Sequence, residues 1–316
     1  MSTSTTIGFK KIGFIGVGVM GEPICRHLAQ KSGLPVLAND RDNAPLERLA
    51  SCGVKSATIT EIAALADIIF MSLPSGEVVR SVIEGEGGHQ PGDGTRDAMP
   101  RPEPSGLLTL CRPGQVVVDL STSPVPLTRE LATQLATRNI EFADAPVMRT
   151  RAAAEAGSLA VPVGASEVLF ERIRPLIAMF ATDISYGGNI GAGQVIKILN
   201  NMVLYETVQA LAEARAIGVR AGVDPEKLFL AMSTGSADSF ALRNHGMKAI
   251  VPQVFPERAF PVTYARKDLQ YAVDLAESVK VDASGAKNLI ASFDAAIAKG
   301  HGDKYAPAIS LVLEGK

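Results

Sequence analysis

The chain is expected to fold as an α/β protein, with a doubly wound, mostly parallel sheet, then a long helix and an all-helical C-terminal part. Three observations predict this. Short apolar runs alternate with helical stretches from Lys11 to Tyr186. A glycine-rich turn, Gly16-Val17-Gly18-Val19-Met20-Gly21, follows directly on the first of those runs. From Gln194 to Ile217 no Gly or Pro interrupts the chain, and past Gly218 the pattern is helical only.

Composition narrows the classes. At 316 residues the chain exceeds one small domain, and two are expected, 1–187 and 188–316. The 31 Lys and Arg residues face 33 acids, so no basic field invites nucleic acid. No apolar run is long enough to span a bilayer, and the Ser/Thr-rich start lacks a secretory apolar core. Cys25, Cys52 and Cys111 are scattered, and the four histidines are equally dispersed. The expectation is a soluble, cytoplasmic protein without a metal site, a nucleic-acid partner or a membrane partner.

Taken in order, Lys11 to Ile15 is a strand that runs into G-x-G-x-x-G, and Pro23 suits the first turn of a helix, Pro23 to Gln30. The first glycine allows the tight turn, the second lets backbone approach a pyrophosphate, and the third packs helix on strand. Helix N-terminal amides supply the anion site. A second strand, Pro35 to Ala38, ends in Asn39-Asp40-Arg41, where an acid hydrogen-bonds the adenosine ribose. Strand, glycines, helix and acid in that order predict a Rossmann-type domain that binds a dinucleotide.

Further strands are expected at Asp67 to Met71, Val116 to Asp119, Glu141 to Asp144, Leu159 to Val163 and Asp183 to Tyr186, with a helix from Pro126 to Thr137. Pro162 predicts an edge or bulged strand. Leu73-Pro74 and Ser121-Thr122-Ser123 fall at carboxyl ends of strands, where ligands of such sheets bind. Ser123 also reads as a helix cap before Pro124. Gly85 to Ser105, rich in Gly, Pro and charge, is expected as a flexible surface insertion. Later helices are expected around Pro225 to Ser233, Arg266 to Ser278 and Ala283 to Ala298.

The long helix is apolar almost all round, yet carries Lys197, Asn200 and Asn201. At helical spacing Lys197 and Asn201 share a face. Such a lysine reaches an edge, finds an anion or titrates down, and the residues alone leave those alternatives open. The uncovered apolar surface predicts a homodimer or homotetramer.

Four stretches in this order resemble the β-hydroxyacid dehydrogenases, the group that includes 3-hydroxyisobutyrate dehydrogenase and tartronate semialdehyde reductase. They are Ile12 to Pro23; Asp144-Ala145-Pro146-Val147 with Ala156-Gly157-Ser158-Leu159; Gly188 to Asn201, which contains G-x-x-G-x-G-x-x-x-K-x-x-N-N; and Lys267-Asp268-Leu269. The resemblance covers nearly the whole chain. It implies a long interdomain helix and a nicotinamide cofactor, with Lys197 as general acid and base and Asn201 positioning substrate. A lysine in a closed apolar cleft can have its pKa lowered to about 7–8, where it transfers protons both ways. Gly16, Gly18, Val19, Met20, Gly21, Asn39, Asp40, Arg41, Leu73, Pro74, Val78 and Thr122 are then cofactor contacts. Lys267 lies near cofactor and substrate by resemblance, with an ordinary surface lysine on a charged helix as the lesser alternative.

One departure touches the substrate. Most members read Ser-Gly-Gly after D-A-P-V, where this chain has Met148-Arg149-Thr150-Arg151. An Arg-Thr pair there resembles the sulfolactaldehyde reductase branch, whose substrate carries a sulfonate. Ser121, Met148, Arg149 and Thr150 join Asn201 and Lys267 as expected substrate contacts. The activity expected is hydride transfer between NAD, or NADP, and a small anionic β-hydroxy acid or its semialdehyde. Asp40 favours NAD and Arg41 opposes it. A non-catalytic nucleotide-binding protein and a reductase of imines are the alternatives.

Overall fold

The computed structural model describes residues 8–85, 105–257 and 259–315. The expected insertion, Gly85 to Ser105, thus lies outside the described residues except at its two ends. The described residues group into two compact units, Met1–Lys197 and Ile198–Lys316, divided inside the long helix Ala192–Arg220.

The first unit is an eight-stranded sheet of β1 (Ile12–Ile15), β2 (Val36–Asn39), β3 (Lys55–Ser56), β4 (Ile68–Met71), β5 (Val116–Asp119), β6 (Glu141–Asp144), β7 (Leu159–Gly164) and β8 (Ala181–Gly188). Spatial order is β3-β2-β1-β4-β5-β6-β7-β8, and every pair is parallel except β6 with β7. The order therefore reverses between β1 and β4, the switch point at which such sheets bind ligands. β1, β4 and β5 are buried at every residue, which is why they read as continuous Ile/Val/Phe runs rather than alternating ones. Helices cover both faces: Phe14, Ile24, Leu28, Phe70 and Phe180 pack on one, Ile62, Ile69, Leu131 and Leu135 on the other.

Of the two readings offered for the strand with Pro162, the bulged one holds: β7 is interior, between β6 and β8, and its register shifts at Leu159/Ala160 and Val163/Gly164. One expectation is corrected. Ser123 caps no helix. The helix Val125–Ala136 starts from Pro124 with no side-chain cap, and the Ser123 hydroxyl donates to the buried carboxylate of Asp119 at 3.1 Å. The side chain is turned so that its hydroxyl hydrogen reaches a carboxylate, an acceptor of the stronger, charge-assisted kind, and its oxygen no longer faces the helix amides.

The second unit is helical. Beyond the long helix it contains Pro225–Met232, a π-helical segment Leu242–Ile250, Val262–Ser278 and Ser284–Ala298. Its core gathers Val208, Leu211, Phe229, Leu242, Leu269 and Phe293, with Tyr205 edge-on to Phe293 at 5.7 Å. Among the described residues no helix is long and apolar enough to cross a membrane, and no three His, Cys, Asp or Glu side chains are grouped to hold a metal.

Candidate active site

Parallel register puts the last residues of five strands in one row. Asn39 pairs with Ile15, Ile15 with Met71, Met71 with Asp119, and Asp119 with Asp144. The loops carrying the candidate residues all leave from this row.

After β1 the backbone turns at Gly16, whose φ of +89° suits glycine, and a Cβ there would stand 2.9 Å from Leu73 Cδ2. A Cβ on Gly18 would meet nothing within 4 Å, so the ground over the turn is open. The helix Gly21–Lys31 starts directly behind it. Positive-φ turn, open approach and helix N-terminus together fit a pyrophosphate. Val19 is exposed, and Met20 packs against the core.

Asp40 is tied to this turn. Its Oδ2 accepts from the Val17 amide at 2.6 Å and its Oδ1 from the Asp42 amide at 2.9 Å. Asn39 donates to the Ala57 carbonyl, and Arg41 is exposed. After β4, the Leu73 amide donates to Ser121 Oγ at 2.9 Å, joining that loop to the one after β5. Pro74 is exposed, and the Val78 amide reaches Ser75 Oγ in the first turn of the helix Gly76–Glu84. Thr122 is half-buried.

Beneath these loops lie two buried acids. Asp119 accepts from the Ser121 amide and the Ser123 hydroxyl, and Asp144 accepts from the Gly191 and Gln194 amides at 2.6 and 2.8 Å. Burial raises the Asp119 carboxyl to about 6 and the Asp144 carboxyl to about 7, against the hydrogen bonds that pull them down. Gln194 is fully buried, accepting from the Ser123 amide and donating to the Ser121 carbonyl. The sequence reading passed over Gln194, which falls on an open position of the motif, and gave Asp144 no role of its own.

Lys197 is 8% exposed, one turn beyond Gln194, and Asn201 is buried one turn further along the same helix. In the helical unit Asn201 donates to Asp268 Oδ2 at 2.7 Å, and Lys267 Nζ donates to Asp268 Oδ1 at 2.8 Å while lying 4.6 Å from the Tyr271 ring centroid. Asp268 thus unites two candidate residues. Only its place beside Lys267 signalled it.

In the loop after β6, the residues expected as substrate contacts are engaged within the protein. Met148 bridges Ala160 through backbone, and Thr150 caps the helix Arg151–Ala156. The Arg149 guanidinium donates to the Ser158 carbonyl, Thr182 Oγ1 and Asp183 Oδ2. Thr182 and Arg149 hold the Asp183 carboxyl below its usual range. Arg149 also has a φ of +83°, a left-handed conformation, at the position where the resemblance has glycine.

A dinucleotide cradle at the switch point, followed by a buried Lys and Asn, suits hydride chemistry on a small polar substrate. Comparisons agree. Residues 11–188 match the family described as the NAD binding domain of 6-phosphogluconate dehydrogenase, and residues 191–312 match that described as the NAD-binding of NADP-dependent 3-hydroxyisobutyrate dehydrogenase. The chain is 33% identical to 2-(hydroxymethyl)glutarate dehydrogenase of Eubacterium barkeri, covering 96% of this chain and 95% of that one. It is 28% identical to 2-hydroxy-3-oxopropionate reductase of Escherichia coli strain K12, covering 96% and 97%. The solved structure of Mycobacterium tuberculosis 3-hydroxyisobutyrate dehydrogenase with L-serine superposes with a TM-score of 0.81 at 26% identity, covering 96% and 99%. With both halves matched, the chain belongs to the β-hydroxyacid dehydrogenase family, NAD(P)-dependent oxidoreductases acting on the CH–OH group of hydroxy acids.

Proposed function

We propose that this enzyme interconverts a small anionic β-hydroxy acid and its semialdehyde, of the 3-hydroxyisobutyrate, tartronate semialdehyde or sulfolactaldehyde type, with Lys197 as general acid and base. Residues 1–187 would bind the dinucleotide and 188–316 form the helical part. The observation that carries the reading is a buried lysine one turn before a buried asparagine that is itself anchored on Asp268.

The nicotinamide, when bound, supplies or accepts the hydride. The turn Gly16 to Gly21 holds the pyrophosphate on backbone amides, and Leu73, Pro74, Val78 and Thr122 line the path of the cofactor. Lys197 gives a proton to the substrate oxygen during reduction and removes it during oxidation. Asn201, its amide oriented by Asp268, hydrogen-bonds the same end of the substrate, and Lys267 neutralises negative charge there. Ser121 Oγ accepts from the Leu73 amide while its side chain also hydrogen-bonds Asp119, which fixes it in the loop that faces the substrate. Relatives named for 2-(hydroxymethyl)glutarate and 2-hydroxy-3-oxopropionate support a short, anionic substrate. Arg149 supports an anion larger than one carboxylate: a guanidinium on a left-handed residue, where glycine is unstrained, suggests that the side chain has a use.

NAD is the cofactor we favour. Each Asp40 oxygen retains acceptor capacity beyond its one amide partner, so ribose hydroxyls fit and a 2′-phosphate is repelled. The apolar stripe of Leu199, Val203 and Ile217, exposed on the long helix, supports a homodimer or homotetramer, which light scattering on the purified chain tests. The test of the function is a screen of short anionic hydroxy acids with NAD and with NADP, for wild type and Lys197→Ala. Wild type should prefer NAD, and the variant should lose at least about a hundredfold in kcat while still binding cofactor. Near-normal turnover in Lys197→Ala removes the lysine from the mechanism, and a preference for NADP removes Asp40 as the selector.

A further inference from the structure

We propose that Gln194, with Asp144 behind it, is a positioning residue that sets the place of Lys197 against the Ser121 to Ser123 loop and acts on the reaction only through that lysine. The inference rests on the reading of Lys197 as the proton-transfer group.

Gln194 precedes Lys197 by three residues, so the two side chains leave the same side of the helix one turn apart. Its side chain spans to the loop after β5 with both ends used: Oε1 accepts from the Ser123 amide at 3.0 Å and Nε2 donates to the Ser121 carbonyl at 2.8 Å. A backbone donor and a backbone acceptor admit only one orientation of the amide. The backbone of the same residue is gripped from the other direction, since its amide donates to Asp144 Oδ2. The loop is pinned in turn by Asp119, which takes the Ser121 amide and the Ser123 hydroxyl.

A helix start needs acceptors for its free amides, and Asp144 alone supplies two of them. The extra bridge through a fully buried glutamine exceeds that need. Space is reserved for it as well: a Cβ on Gly164 would stand 2.8 Å from Asp144 Oδ2, and one on Gly193 would stand 2.9 Å from it. Asp144 is itself no proton donor to substrate, because it is fully buried with both oxygens on backbone amides. What the network does fix is the turn from which Lys197 projects. Proton transfer tolerates little error there, as a misplacement near 1 Å can cost about a hundredfold in rate. The loop it is fixed against carries Ser121 and Thr122, the two residues placed above at the substrate and the cofactor.

The experiment is a double-mutant cycle with Gln194→Met and Lys197→Ala, assayed with NAD and whichever of 3-hydroxyisobutyrate, 2-(hydroxymethyl)glutarate and glycerate wild type turns over fastest. NAD dissociation constants and thermal midpoints are measured beside the rates. Gln194→Met should lower kcat about ten- to a hundredfold with KM and NAD affinity nearly unchanged. In the Lys197→Ala background the same change should have no further effect, because a positioning residue has nothing left to position. A loss of equal size in both backgrounds means a general structural role and overturns the proposal. So does normal kcat in Gln194→Met when Lys197→Ala is inactive. Near-normal rates in Lys197→Ala instead identify the lysine reading as the part that failed. Should Gln194→Met yield no folded chain, Gln194→Glu, which keeps the acceptor for the Ser123 amide, passes through the same cycle with the same outcomes.

Discussion

Asp144 in the sheet unit and Asp268 in the helical unit are both buried carboxylates, yet their partners differ in kind. Asp144 is met by two backbone amides, and Asp119 beside it by an amide and a hydroxyl. Asp268 is met by an ammonium and a side-chain amide. Backbone donors cannot turn away, whereas Lys267 and Asn201 reach Asp268 on rotatable stems. The sheet unit therefore uses its acids to fix geometry, and the helical unit uses its acid to hold Lys267 and Asn201, two of the side chains proposed above to meet the substrate. This division matches the proposed chemistry, in which one half supplies a rigid cradle and the other supplies groups that exchange partners.

The largest effects should separate the two roles. Asp144→Leu strands two buried amides, each costing about 1–3 kcal/mol, so chemical denaturation should report a marked loss of stability. Asp268→Leu leaves the part-exposed Lys267 able to turn toward water and only the one Asn201 donor buried without its partner, so its loss of stability should be the smaller. Its kcat/KM, however, should fall about a hundredfold, as expected when a residue that orients reacting groups is removed. Equal destabilisation by the two variants, or full activity in Asp268→Leu, would erase the distinction.

Arg149 extends the comparison to a single side chain. Its guanidinium is held by Asp183, Thr182 and the Ser158 carbonyl, and the ion pair is 38% and 61% exposed at its two side chains. Pairs this open contribute little to stability, so under the proposed function the arginine would exchange Asp183 for a ligand anion at small cost. Arg149→Ala should lower kcat/KM for the true anionic substrate at least tenfold and leave an uncharged aldehyde nearly unaffected. Arg149→Gly, which also suits the left-handed φ, should show the same split with better stability. Losing both substrates equally, or neither, would make Arg149 a structural residue.

How much of this was legible in the sequence depended on whether the signal was local. Val116–Asp119 and Glu141–Asp144 were readable to the residue, because buried parallel strands are short apolar runs with abrupt ends. The glycine turn was readable because each glycine has its own physical duty. Helices Asn43–Ala50, Ile59–Leu65 and Glu167–Ile177 were not placed, although Asp42, Thr58 and Ser166 cap them and Thr58 with Glu61 forms a capping box. Those cues were present and unused. The network around Gln194 was illegible for a different reason: it joins Ser121, Ser123, Asp144 and Gln194 across long separations, and no periodicity records which loops meet. Ser123 was misjudged on the same account, since its true partner, Asp119, ends a strand rather than starting a helix.

The smallest effect expected is in the pH dependence of each unit, and there the two should move in opposite directions. Burial lowers the His245 imidazole from its ordinary 6.5 to about 4, and Tyr305 Oη lies 2.5 Å from its Nδ1. A folded pKa below the unfolded one means that His245 contributes stability present above about pH 6.5 and lost as pH falls through about 4. Asp119 and Asp144 are raised from 3.8 to about 6 and about 7, so their contribution is complete below about pH 3.8 and lost as pH rises through those values. Each group can change stability by at most about 1.4 kcal/mol per pH unit, and opposing slopes hide both in a whole-chain melting curve. Hydrogen exchange resolved by peptide, corrected for intrinsic rates between pH 4.5 and 7.5 in steps of about half a unit, separates them. Protection of β5 and β6 should fall as pH rises, and protection of Leu242–Ile250 should fall as pH drops. His245→Phe should flatten the second trend alone and Asp144→Asn should weaken the first alone. If both peptides follow one direction, the acids of the sheet and the imidazole of the helical unit are not what sets their local stabilities, and the contrast between the units reduces to geometry.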